Sequence, residues 1–313
     1  MKPEILIAAI YTPDQLAYYD DDFIVHHAPT PEEAEVAISK VGANVRAVVT
    51  VGSQAFTGAM MDAMPKLQII IIRGAGFEGI DLIAAKARGV IVCNTPSTNY
   101  FSVAEHAMAL LLSIGRRIPA DFTAIQQGKW QEHKSQPVRY LIYNKHIGIL
   151  GLGAIGAAIA QRAIAFETTV SYHNRSKRLD VPYAYSPSAL DLACESDVLI
   201  VATPGGPETK HLVSAKVLDA LGPKGYLVNV GRGSIVDQNA LIDALHDRRI
   251  AGAALDVVDG EPEMPQRLLN APNVIITPHI GGGSTESRLA VIVAVIANLL
   301  AGMAGLPVKN QLV

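Results

Sequence analysis

Three polar residues stand out because each follows an apolar run: Arg232 in VNVGRGSIVD, Glu261 in ALDVVDGEPE and His279 in IITPHIGGGS. Histidine changes charge near neutral pH, so His279 suits a proton donor. A carboxylate beside it, such as Glu261, favours the imidazolium and fixes the ring. An arginine such as Arg232 can clasp a carboxylate and steady charge that grows on a neighbouring oxygen. The set fits reduction of a 2-keto acid, in which a hydride reaches the carbonyl carbon and a proton reaches the oxygen. Singly, each residue has an ordinary alternative. His279 follows Pro278 in a glycine-rich turn, Arg232 could cap a helix or pair with an acid, and Glu261 could be a solvated turn residue before Pro262.

A hydride needs a carrier, and HIGILGLGAIG supplies a place for one. Gly151, Gly153 and Gly156, with Ala154 and Ile155 between the last two, form a G-x-G-x-x-G that follows a strand and opens a helix. Glycines there allow a tight turn and close backbone approach to a pyrophosphate, while the helix N-terminus offers N–H groups to it. At the end of the next strand, 18 residues beyond Gly156, a dinucleotide site usually has an acid for the ribose 2′-hydroxyl; this chain has YHNRSKR. Asn174, Arg175 and Ser176 can all donate hydrogen bonds, and Arg175 can hold a phosphate dianion. The expectation is NADPH in preference, with NADH possible. Lys177 and Arg178 are read as weaker outer charges, and the alternative is a solvated basic turn.

These residues need a scaffold that brings strand ends together. A first set of apolar runs (EILIAAI, FIVHH, RAVVTV, LQIIII, GVIVCN) alternates with helical segments such as Pro31–Val41 and Asp81–Arg88. A second set follows: HIGILG, TTVSYH, DVLIVA, GYLVNV, GAALDVV and NVIITP. Continuous Val/Ile/Leu runs with helices between them indicate parallel strands covered on both faces. The fold class expected is α/β, with two Rossmann-like domains: a flavodoxin-like substrate domain and a doubly wound cofactor domain. A helix from Val103 to Arg116, capped by Ser102 with Glu105 completing a capping box, joins them. The final run SRLAVIVAVIANLLAGM crosses back, so the substrate domain comprises 1–99 and 288–313 and the cofactor domain 100–287, with a cleft between.

Composition narrows the partners. The chain has 313 residues, half of them hydrophobic and 18% charged, which suits folded domains with buried cores. The net charge of −3 argues against a nucleic-acid or anionic-membrane surface. Apolar stretches are interrupted before the ~18 residues needed to cross a membrane. Cys93 and Cys194 read as two buried thiols without metal-ligand spacing, so no metal is expected. MKPEILIAAIY enters a strand with no signal-peptide cleavage site, and a cytoplasmic location is expected.

GLGAIG, NVGRGSIVD, LDVVDGEPE and TPHIGG, together with SVAEHAMALLL and GAGFEGIDL, resemble the D-2-hydroxyacid dehydrogenase family over essentially the whole chain. The resemblance implies a catalytic set of Arg232, Glu261 and His279. It also implies that Asp256 reaches the nicotinamide carboxamide, and that Val103, Thr203 and Pro204 pack on cofactor rings. Val230 and Gly281 would flank the nicotinamide, and Gly231, Arg232 and His279 are also implied as cofactor-binding residues. Backbone amides near Ala75 and Gly76 would bind the substrate carboxylate, with the TVGS turn, Val51 to Ser53, lining the same cleft. YHNRSK and PGGPETKHLV are most similar to the NADPH-preferring glyoxylate/hydroxypyruvate reductase branch, which includes hydroxyphenylpyruvate and 2-ketogluconate reductases. The implied partners are a small 2-keto or 2-hydroxy acid and a second copy of the chain, the homodimer interface lying around GKWQEH, where Trp130 and His133 sit.

Departures from the family pattern concern Asn144, where a glycine is usual, and STNYFS, where Tyr100 and Phe101 either shape the pocket or pack in the core. The same fold serves other classes of protein. The family fold also serves as a dinucleotide-sensing corepressor, but Arg232, Glu261 and His279 together argue for an enzyme. NAD-dependent phosphoglycerate or formate dehydrogenases usually keep the acidic ribose ligand that this chain lacks.

Overall fold

Runs such as IIIIR and IVCN leave no polar face, so strands built from them must be covered on both sides. That is how the first of two compact units, Met1–Asn99 with Gly283–Val313, is built. Its strands are β1 (Glu4–Ala8), β2 (Ile24–His27), β3 (Val45–Val51), β4 (Ile69–Arg73) and β5 (Ile91–Asn94), all parallel in the order β2-β1-β3-β4-β5. Leu6, Val48, Ile70 and Ile72 fill one face of the sheet. Ile5, Val49, Ile69 and Ile71 fill the other, against Val291, Val295 and Leu299 of the last helix, Thr285–Met303. Helix Pro31–Val41 starts where its residues dictate: Thr30 accepts from the Glu33 amide while the Glu33 carboxylate accepts from the Thr30 amide, with proline in the first turn. The structure, a computed structural model, describes residues 2–96, 98–134 and 139–313, with backbone alone at 133 and 134.

The second unit is Tyr100–Gly282. It contains β6 (His146–Leu150), β7 (Thr169–His173), β8 (Ala184–Tyr185), β9 (Val198–Val201), β10 (Tyr226–Asn229), β11 (Gly252–Leu255) and β12 (Val274–Ile276). They form one parallel sheet ordered β12-β11-β10-β9-β6-β7-β8. The chain starts at β6, runs outward to β8, then crosses to β9 and continues the other way. The reversal lies between β6 and β9, and ligands of open parallel sheets bind outside the strand ends at such a point. β8 has two residues and was not expected; so short an edge strand leaves no periodic signal.

Four expectations need correction. The joining helix begins at Tyr100, so Ser102 lies inside its first turn instead of capping it. The Ser102 hydroxyl donates to the Gly281 carbonyl (2.8 Å), and the Glu105 carboxylate pairs with Arg162 (2.9 Å). Cys194 is exposed, on the outer side of a helix that buries Leu192 and Ala193; Cys93 is buried, and desolvation pushes its thiol up to about 12. Helix Thr285–Met303 has 19 residues and a mean hydropathy of 1.6, long and apolar enough to cross a membrane by length and composition, although it packs on β4. A return at residue 288 would cut this helix in two, whereas the second stretch of the first unit starts at Gly283, ahead of its N-cap, Ser284.

Asn144 takes φ +54°, the left-handed backbone that a glycine would supply and that asparagine tolerates. The Tyr100 and Phe101 rings lie tilted against each other with centroids 4.0 Å apart; Tyr100 packs against the core, and Phe101 is exposed with the Arg162 guanidinium over its ring.

Candidate active site

The glycine loop sits at the sheet's reversal point. Gly151 has φ +101°, and a Cβ on it would lie 2.6 Å from the Thr203 amide nitrogen, so β6 and β9 approach too closely there for any side chain. A Cβ on Gly156 would meet the Gly151 carbonyl oxygen at 2.2 Å, which ties helix Ala154–Ile164 onto the strand end. Gly153 differs, because a Cβ there would meet nothing within 4 Å. It is the N-cap of that helix and supplies no side-chain cap to the first-turn N–H groups. A cradle with open space at its N-cap glycine fits a dinucleotide pyrophosphate. Thr203 and Pro204 follow β9, and Gly231 lies against Thr203, its missing Cβ being 2.7 Å from the Thr203 carbonyl oxygen. Val103 and Val230 are buried in the core cluster of this unit.

The loop after β7 divides its polar groups. Asn174 Oδ1 accepts from the Leu152 amide at 2.6 Å, which pins the glycine loop and leaves the Nδ2 group as the side chain's donor. Arg178, expected as an outer charge, turns inward instead. It donates to the Leu152 carbonyl (3.0 Å) and pairs with Asp180, and its backbone is stapled to the Tyr172 hydroxyl. The Arg178 hydrogen bonds hold the Asp180 carboxyl below the usual carboxylate range. Arg175 and Ser176 are exposed; Arg175 reaches Glu208 at 3.3 Å, with side-chain exposures of 89% and 80% for the pair.

The ends of β10, β11 and β12 carry the remaining residues. After β10, Asn229 is buried and organises the turn: its Oδ1 accepts from the Gly231 amide and its Nδ2 donates to the Arg232 carbonyl, both at 3.0 Å. Arg232 donates from Nη1 to the Gly231 carbonyl at 2.8 Å. A Cβ on Gly233 would fall 2.1 Å from the Val258 carbonyl carbon, so the Arg232 turn lies directly on the turn that leads to Glu261. Glu261 Oε2 accepts weakly from the Val258 amide at 3.4 Å, and its Oε1 meets His279 Nδ1 at 2.5 Å. His279 is about half exposed (48%) and has φ +53°. Glu261 and His279 thus form a hydrogen-bonded pair, 18 positions apart in sequence, at the carboxyl end of the sheet. Such a pair is suited to proton transfer: the carboxylate takes Nδ1–H and leaves Nε2 to exchange a proton with a ligand.

Asp256 is 3% exposed, and its carboxylate accepts from the Thr277 hydroxyl (2.6 Å), the Ile280 amide (3.0 Å) and the Gly281 amide (2.8 Å). His106 Nε2 lies 3.2 Å from the same carboxylate and 2.9 Å from Thr277 Oγ1. Asn229, Gly233, His106 and Thr277 were not singled out from sequence. Asn229 and Thr277 lie inside strand-end motifs dominated by Arg232 and His279, and His106 sits in a helical pattern that gives it no separate signal.

In the first unit, the turns after β3 and β4 interlock. A Cβ on Gly52 would fall 2.1 Å from the Gly76 carbonyl oxygen, and the Gly79 amide donates to the Gly52 carbonyl at 2.7 Å. The Ala75 carbonyl accepts from Asn94 Nδ2 at 2.8 Å. Val51, Gly52, Ala75 and Gly76 therefore share one end of that sheet. Trp130 is exposed, and the His133 side chain lies outside the described residues. Among the described residues, no group of three or more His, Cys, Asp or Glu side chains could hold a metal ion.

Residues 108–281 match the family described as D-isomer specific 2-hydroxyacid dehydrogenase, NAD binding domain. Hydroxyphenylpyruvate reductase of Plectranthus scutellarioides is 40% identical over 270 residues, 86% of each chain. Glyoxylate/hydroxypyruvate reductase A of Arabidopsis thaliana is 40% identical over 276 residues, 88% of each chain. Among solved structures, NADPH-dependent glyoxylate/hydroxypyruvate reductase of Sinorhizobium meliloti, in complex with NADP and malonate, superposes with a TM-score of 0.90 at 35% identity, covering 100% of this chain and 97% of that one. The doubly wound sheet, the glycine loop at its reversal point and these similarities agree: the chain belongs to the D-isomer specific 2-hydroxyacid dehydrogenase family.

Proposed function

We propose that the protein is an NADPH-dependent reductase of small 2-keto acids, such as glyoxylate or hydroxypyruvate, yielding D-2-hydroxy acids. The observation that carries this reading is the 2.5 Å contact between His279 Nδ1 and Glu261 Oε1, beside the turn that bears Arg232. When bound, the reduced nicotinamide supplies the hydride for the carbonyl carbon. His279 donates the proton from Nε2 to the keto oxygen, because Glu261 accepts Nδ1–H and holds the ring in that orientation. Arg232 takes the substrate carboxylate and steadies charge on the keto oxygen. In the first unit, the backbone around Val51, Gly52, Ala75 and Gly76 offers amides of the same chemistry. Asp256, Val230 and Gly281 are assigned to the nicotinamide, Val103, Thr203 and Pro204 to the nicotinamide or adenine ring, and Gly231 to the cofactor. Gly151, Gly153, Ala154, Ile155 and Gly156 are assigned to its pyrophosphate.

NADPH is preferred over NADH in this reading because the loop after β7 presents Asn174 Nδ2, Arg175 and Ser176 with no carboxylate of its own at the ribose position. The decisive experiment is initial-rate reduction of glyoxylate, hydroxypyruvate, 2-ketogluconate and hydroxyphenylpyruvate with each cofactor. Turnover with NADPH exceeding that with NADH supports the reading. A tenfold preference for NADH would overturn the cofactor assignment, and no turnover of any keto acid would favour a dinucleotide-sensing protein.

A homodimer is part of the same proposal. Ile118, Phe122, Ile125, Trp130, Leu141 and Tyr143 of the second unit are each 45–62% exposed, apolar side chains that a second copy would cover. Sedimentation equilibrium should give two chains per particle, and a monomer at micromolar concentration would contradict it.

A further inference from the structure

We infer that His106 is a positioning residue for the loop that carries His279, acting through Thr277 and the buried Asp256. The inference rests on reading His279 as the proton donor, and the geometry that supports it is independent of the cofactor.

The direction of each hydrogen bond follows from proton count. Thr277 Oγ1 lies 2.6 Å from Asp256 Oδ1, and a carboxylate only accepts, so the single hydroxyl proton of Thr277 goes to Asp256. The Thr277 oxygen can then only accept from His106 Nε2 at 2.9 Å. His106 therefore carries its proton on Nε2, and the chain runs from His106 to Thr277 to Asp256. The 3.2 Å approach of the same nitrogen to Asp256 Oδ1 places this donor beside a carboxylate that is almost wholly buried. A carboxylate at that depth is tolerated only when hydrogen-bond donors surround it.

Asp256 passes the constraint to the loop. Its side chain accepts from the amides of Ile280 and Gly281, and its backbone carbonyl accepts from the His279 amide at 2.9 Å. From the same helix as His106, Ser102 holds the Gly281 carbonyl at 2.8 Å. The helix thus grips the loop on both sides of His279, at Thr277 and at Gly281. There is a physical need for such a grip. His279 has a left-handed backbone, φ +53°, which a non-glycine residue keeps only when its surroundings impose it. Gly281 shows how close the fit is: a Cβ there would lie 2.8 Å from Asp256 Oδ2 and 3.2 Å from His106 Cδ2.

His106→Leu keeps the bulk and removes the donor, His106→Gln keeps a nitrogen donor near the Nε2 position, and Thr277→Val breaks the middle link. Amide hydrogen exchange, read on Ile280 and Gly281 in the purified protein, reports the grip without any reaction. We expect His106→Leu and Thr277→Val each to speed exchange at both amides at least tenfold, with the amides of β6 unchanged. kcat should fall about tenfold. His106→Gln should stay within threefold of wild type in both readouts. The double variant should be no worse than either single, since both break one chain. Unchanged exchange in His106→Leu, additive losses in the double variant, or equal damage from Gln and Leu would each overturn the proposal. If the wild-type protein reduced no keto acid, the reading of the reaction would fall, and the exchange measurement would still decide for or against the grip.

Discussion

Replacing Arg175 by alanine tests the cofactor assignment at a single side chain. The guanidinium is 89% exposed and is paired with Glu208 at 3.3 Å, which is itself 80% exposed. A pair that open to water is worth about 0–1 kcal/mol. A charge-assisted bond from the same guanidinium to a phosphate is worth about 1.5–3 kcal/mol. Binding the 2′-phosphate replaces the first interaction with the second, for a net gain of roughly 1–2 kcal/mol. At 1.4 kcal/mol per factor of ten, Arg175→Ala should weaken NADPH about 5- to 30-fold. NADH has no 2′-phosphate, so its affinity should change less than about twofold. Glu208→Gln should do the opposite, tightening NADPH a few-fold by removing both the competing partner and a nearby negative charge. The assay is equilibrium titration of both cofactors at one fixed ionic strength, because exposed charges are screened over about 10 Å at 0.1 M salt. Equal losses for NADPH and NADH, or none for either, would refute the assignment of this loop.

Gly151→Ala should abolish cofactor binding and cost roughly 2–4 kcal/mol of stability, since the residue has positive φ and its new methyl would fall 2.6 Å from the Thr203 nitrogen; denaturant midpoints and cofactor titration check it. Asn229→Ala breaks two hydrogen bonds and leaves the buried Gly231 amide unpaired, for a loss of about 2–4 kcal/mol and a steep fall in turnover. The two thiols should react at very different rates. With its thiol pushed up to about 12, Cys93 is ionised to only about one part in ten thousand at pH 8, and the fraction rises tenfold per pH unit up to that value. A disulfide reagent should therefore modify the exposed Cys194 alone in the native protein and both thiols in denaturant.

The strands were legible because β-branched runs such as IIII at 69–72 and VLIV have no polar face, as strands buried on both sides require. The glycine loop was legible because its three glycines stand where close backbone approach forbids a side chain or open space invites a ligand. Less legible were features settled by tertiary partners. Ser102, Glu105 and the residues that follow have the pattern of a capping box, yet Ser102 bonds Gly281, far along the chain, and Glu105 bonds Arg162. Arg178 looked like one more outward cation; the Leu152 carbonyl and Asp180 draw it inward. Residue types nominated His279 and Glu261 as candidates, but their 2.5 Å contact is a property of two turns that sequence spacing does not encode. His106 was invisible for the same reason, since its partner Thr277 lies 171 positions away.

The central claim is that the His279–Glu261 pair delivers a proton as a 2-keto acid is reduced. The most direct measurement is single-turnover oxidation of bound NADPH on mixing with hydroxypyruvate, for the wild-type protein and for His279→Ala. The wild type should oxidise its bound cofactor in one phase. His279→Ala should bind NADPH with unchanged affinity and react about 10²- to 10⁴-fold more slowly, the range typical of a lost general acid. Equal rates for the two proteins would contradict the account.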